Sequence, residues 1–85
     1  LSPSKQIETA IEQGVPVFND GNHAKCAAIY KGCLAELAKE DSIDSKLRSA
    51  VKVLLKKGEK TSDDIDRAWL YRVGLDELYS AISDS

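Results

Sequence analysis

His23 and Cys26 stand three residues apart, and at helical spacing two such side chains share a face. An imidazole beside a thiol can favour the thiolate, which is the nucleophilic and redox-active form. The same pair could begin a metal site. Both chemistries ask for more than this chain holds. A Cys–His nucleophile needs hydrogen-bond reach and a third, orienting group. Structural zinc needs about four ligands, and the chain offers one histidine and two cysteines, Cys26 and Cys33. Thiol redox or metal binding through Cys26 and His23 is therefore the alternative reading. The leading one is a turn histidine and two small buried thiols that pack as hydrophobes.

Asp63, Asp64 and Asp66 form an acidic cluster. A divalent cation could sit there, but the spaced ligands and closing glutamate of an EF-hand are absent. Acids at the positive end of a helix dipole explain the cluster without a metal. The chain has no phosphate-binding glycine loop, no dinucleotide fingerprint and no Ser/His/Asp set. The expectation is a protein that is not an enzyme and carries no cofactor.

Two groups suit binding instead. From position 46 to 60 there are six cations and one acid. Arg48, Lys52 and Lys56 recur at i, i+4, i+8, which makes a basic stripe suited to an acidic protein or an anionic membrane surface. Aromatics are not interleaved with these charges, so nucleic acid is not the expected partner. Further on, Trp69, Tyr71 and Arg72 are the residue types that anchor interfaces. Trp69 is expected in the core, Tyr71 off its stripe, and the Arg72 stem along the apolar edge.

These residues need helices to hold them. The 85-residue chain allows one domain, spanning 1–85. With 42% hydrophobic and 31% charged residues and a net charge of −2, it reads as globular. No apolar run reaches the ~20 residues of a membrane span, so any membrane association would be peripheral. Leu1 rather than Met opens the chain, which suggests a processed or excised segment.

Ser2-Pro3 caps and opens a first helix, with Ile7, Ile11, Val15 and Phe18 on one stripe. Pro16 predicts a kink or break. Asn19 to Asn22 is a turn, with Asn22 capping a second helix from about His23 to Lys39. Gly32 in that helix suggests close packing. Asp44 caps a third helix, which Gly58 ends, and Thr61 to Asp64 start a fourth. Ile65, Ala68, Trp69, Val73, Leu78, Tyr79 and Ile82 form the apolar set of the fourth, and Gly74 marks another close contact. Four amphipathic helices on short loops predict an all-α, four-helix up-and-down bundle.

The string GVPVFNDGNHAKCAAIYKGC, positions 14–33, resembles the hairpin of a tetratricopeptide repeat. Gly14, Gly21, Cys26, Tyr30 and Cys33 fall at its glycine, turn, small and aromatic positions, with Phe18 beside its usual aromatic. Ala10 stands where the repeat has tryptophan, and no second copy follows. The resemblance implies hairpin geometry, not the groove of a repeat array, which takes at least three copies. Gly14–Asn19, Asp20–Asn22, Cys26, Ile29-Tyr30 and the later Ala68–Arg72 string also resemble a small helical domain of exported bacterial and algal plastid proteins. That likeness implies export or a plastid (thylakoid lumen) location. By analogy of fold it implies an extrinsic subunit of an algal photosystem or antenna.

The expected function is a binding or assembly module, an accessory subunit of a larger complex. Its contact residues are Arg48, Lys52, Lys56, Trp69, Tyr71 and Arg72. One covalent expectation follows. Seven helical residues rise ~10.5 Å, and a disulfide needs Cα atoms within ~7 Å. Mass spectrometry of the native monomer should find no Cys26–Cys33 bond. Such a bond would rule out the second helix.

Overall fold

Every helix starts on a side chain that accepts an otherwise unpaired backbone N–H. Ser2 Oγ accepts from Lys5 N at 3.3 Å, Asn22 Oδ1 from Lys25 N at 3.2 Å, Asp44 Oδ1 from Lys46 N at 2.7 Å, and Asp63 Oδ1 from Asp66 N at 2.9 Å. The computed structural model describes residues 1–83. It contains α1 (Pro3–Asn19), α2 (His23–Leu37), α3 (Ser45–Glu59) and α4 (Asp64–Ser83).

The chain is an all-α four-helix bundle, as the apolar periodicity predicts. Pro16 does not break α1. It sits one turn from the end, and Asp20 N–H donates to the Pro16 carbonyl at 3.0 Å. Asn22 N–H donates to Val17 O at 3.1 Å, and Gly21 takes a φ of 91°, so the turn closes directly behind the proline. α2 stops at Leu37, earlier than expected. Lys39 and Glu40 donate to carbonyls three residues back, which tightens the last turn. Ile43 in the following loop is buried in the core.

The register of contacts gives the topology. Cys33 meets Gln6 and Tyr30 meets Gly14, so α1 and α2 are antiparallel. Gly58 meets Tyr71 and Leu54 meets Gly74, so α3 and α4 are antiparallel. Tyr79 meets Glu8 and Trp69 meets Phe18, so α4 also runs against α1. The bundle is flattened, 35 × 25 × 17 Å. α2 and α4 pack closely along its centre, α1 and α3 lie on opposite flanks, and α1 does not pack against α3.

This arrangement corrects several expectations. α4 turns Ala68, Tyr71, Leu75 and Leu78 inward, at i, i+3, i+7, i+10. Trp69 is therefore outside, 56% exposed, and Val73 is 52% exposed, although both were expected in the core. Tyr71, expected at a contact surface, is 1% exposed and is one of the largest core side chains. Gly58 does not end α3. It lies inside the helix, where an added Cβ would stand 2.0 Å from Tyr71 Oη. Gly32 was expected at a crossing but faces open space.

The two glycines should respond oppositely to alanine. Gly32→Ala should stabilise by ~0.5–1 kcal/mol, because helix propensity alone changes. Gly58→Ala should destabilise by ~1–3 kcal/mol, because the added methyl would have to displace the buried Tyr71 ring. Urea midpoints of the two variants check both signs.

Candidate functional site

The exposed apolar surface lies between α3 and α4. On α3, Lys46, Ala50, Val53 and Lys57 fall at i, i+4, i+7, i+11, and on α4 Asp66, Leu70, Val73 and Glu77 repeat the same spacing. Val53, 53% exposed, and Val73 stand at one level of a groove of about 810 Å³. Leu47, Leu54 and Leu78 floor it, and Trp69 closes one end. Leu54 Cδ2 would lie 2.2 Å from a Cβ on Gly74, so this glycine lets the two helices approach. Lys57 lines the α3 wall and Glu77 the α4 wall, with an apolar strip between them.

The expected basic stripe is divided by the fold. Arg48 is not free to dock. Its Nη1 donates to the carbonyl of Ile43 at 2.7 Å and lies 3.3 and 3.4 Å from those of Glu40 and Asp41, so it ties down the α2–α3 loop. Lys52 and Lys56 are exposed on the outer side of α3. Lys57 lines the groove itself. The sequence counted it among the cations but could not select it, because the stripe through Arg48 has the better period.

Trp69 also walls a second feature. Its ring meets Phe18 edge-on at 5.9 Å, and Phe18 in turn meets His23 at 4.4 Å. Beneath these rings is a half-open cavity of about 150 Å³ between α1, α2 and α4. Val15, Phe18, Ala68 and Trp69 give it apolar walls, and Cys26, Tyr30, Asn19 and Arg72 give it polar ones. Residues of the 14–30 and 68–72 strings thus meet around one space.

Tyr30 and Cys26 are 3% and 1% exposed. Burial pushes the Tyr30 phenol above its usual range, its bond to Cys26 adds to this, and Arg72 opposes it. Arg72 Nε donates to Asp76 Oδ1 at 3.2 Å. Burial lowers the Arg72 proton affinity, but Asp76 and Tyr30 outweigh it and hold the guanidinium charged. Cys33 is elsewhere, donating to the Gln6 carbonyl at 3.6 Å, with its thiol pushed up to about 11 by burial. Both cysteines are free.

His23 packs on Phe18. Among the described residues no three His, Cys, Asp or Glu side chains gather as a metal site. In the acidic cluster, Asp63 caps α4 and Asp64 pairs with Arg67. Among the described residues no helix is long and apolar enough to cross a membrane. No protein-family model, curated protein or solved structure matches the chain.

The raised thiol and phenols have a consequence for stability. Cys33, Tyr30 and Tyr71 are all held protonated by burial. The unfolded chain gives up these protons first as pH rises, so it gains free energy that the native state does not. Stability should be flat below pH ~9 and fall progressively towards pH ~11. Urea midpoints across that range check this, and Cys33→Ala should flatten part of the slope.

Proposed function

We propose that the domain is a non-enzymatic binding and assembly module, an accessory subunit that docks an amphipathic helix of a partner protein in the α3–α4 groove. The observation that supports this is the outward stripe of α4. Ile65, Trp69 and Val73 fall at i, i+4, i+8 and are all exposed, while the opposite face of the same helix is core. A helix that is apolar on both faces is normally covered on both.

Size and charge choose the occupant. α3 is 15 residues long, so the groove runs for ~22 Å and two helices present a face ~20 Å wide. That gives ~440 Å², well under the ~800 Å² per partner of a standard globular interface. A single helix of about 15 residues fits the length and touches both walls. Its acidic flank would face Lys57, and its basic flank would face Glu77. The narrower form of the reading is an extrinsic subunit of an algal photosystem or antenna in the thylakoid lumen. It is supported by the sequence resemblance of the 14–30 and 68–72 strings alone.

Synthetic helices test the docking. A 15-residue peptide with a leucine stripe, glutamates on one flank and lysines on the other should bind and shift Trp69 emission. Peptides with glutamate or lysine on both flanks should bind at least ~10-fold more weakly, since like charges meet one wall. Val73→Asp should abolish binding, Lys57→Glu should weaken it, and Lys52→Glu with Lys56→Glu should change it little. All these sites are exposed, so circular dichroism should stay native. Equal binding of the three peptides, or preferential binding to anionic phosphatidylserine vesicles, would overturn the helix-docking reading.

A further inference from the structure

The cavity between α1, α2 and α4 is a separate feature that shares only Trp69 with the groove. Its volume, about 150 Å³, is comparable to that of apolar protein cavities that admit one benzene ring. Three walls are apolar, formed by Val15, Phe18, Ala68 and Trp69. The fourth holds a cation. Arg72 has more N–H donors than Asp76 and Tyr30 occupy. Its side chain is 31% exposed while that of Asp76 is 55% exposed, and of the pair only Arg72 lines the cavity.

The Tyr30 hydroxyl, which bonds Cys26 and accepts from Arg72, helps to fix the guanidinium at the same end. Tyr30 cannot swing aside into α1, because its ring already lies where a Cβ of Gly14 would be, 2.4 Å from Cε1. The site is therefore formed in advance, with an apolar chamber closed by a planar cationic fork and a phenol. A planar carboxylate matches a guanidinium geometrically, while a neutral or cationic head group does not.

We infer that this cavity binds a small free carboxylic acid with an aromatic or branched apolar body, its ring among Phe18, Ala68 and Trp69 and its carboxylate on Arg72. The ring-sized volume limits the ligand to roughly ten non-hydrogen atoms, and an affinity of order 1 mM is the scale such ligands reach.

Benzoate is the probe. In ¹⁵N-labelled protein the Trp69 indole N–H, the only indole in the chain, and the Arg72 Nε–H report on the apolar and the cationic lining of the cavity. Benzoate should move both resonances in a saturable titration to about 10 mM. Benzyl alcohol and benzylammonium, which keep the ring and lose the carboxylate, should bind at least ~10-fold more weakly. Arg72→Gln should remove this preference, and Val15→Phe, which narrows the cavity from its half-exposed rim, should remove binding of all three. Circular dichroism checks that both variants remain folded.

Four results would overturn the proposal. One is no saturable shift from benzoate, and another is equal affinity for benzyl alcohol. The third is wild-type benzoate binding by the Arg72→Gln variant. A short peptide ending in a leucine carboxylate that bound more tightly than benzoate would also overturn it, because the site would then capture a chain terminus.

Discussion

Two tyrosines set the spacing of this bundle. Tyr30 on α2 lies against Gly14 of α1, and Tyr71 on α4 lies against Gly58 of α3. Each central helix thus presents one large planar ring to a flanking helix that has removed its side chain at that level. A Cβ at either glycine would stand within 2.4 Å of the ring. Because the rings fill these gaps, α1 and α3 are held on opposite sides of the α2–α4 pair and do not touch each other. The rings are almost wholly buried, and their hydroxyls reach the edge of the core where polar partners exist.

The flattened shape follows, and with it the surface. In a square bundle each helix shows solvent a single face between two neighbours. Here α4 packs against α1, α2 and α3, yet it still presents one long strip to solvent. That strip is apolar, carrying Trp69 and Val73, and it continues across the groove to Val53. The groove exists because Leu54 of α3 drops onto Gly74, which brings the helix axes together at the floor while the outer side chains stand apart. The same crowding of α4 against α1 leaves Ala68 and Cys26 too small to fill the space below Phe18 and Trp69, and the cavity remains.

Electrostatics then distinguishes the two features. The groove has Lys57 on one wall and Glu77 on the other, so it favours an occupant with two unlike flanks. The cavity has a single partly desolvated cation, so it favours one anionic head group. Trp69 belongs to both. Its placement at their common wall means that an occupant of one changes the surroundings of the other.

The helix starts, the turn at Gly21 and the all-helical class were legible in the sequence because they depend on local chemistry. Ser2, Asn22, Asp44 and Asp63 cap as their types require, and Gly21 takes the positive φ of its turn. The core face of α2 was legible too, since Cys26, Tyr30, Leu34 and Leu37 of its apolar stripe are buried, whereas α1 buries Ile7, Ala10 and Gly14 and leaves Ile11, Val15 and Phe18 only partly covered. The core face of α4 was not legible, because apolar residues surround it and periodicity gives no preferred face. Only contact with three neighbours decided that Tyr71 turns in and Trp69 turns out. The lysines had the same ambiguity. Arg48, Lys52 and Lys56 share a stripe, but the position of the α2–α3 loop made Arg48 a fastener for that loop, and the position of α4 made Lys57 the groove residue. Glycine likewise marks permission for close approach without saying whether a partner will come. At Gly14, Gly58 and Gly74 one does, and at Gly32 none does, because that choice belongs to how the helices meet.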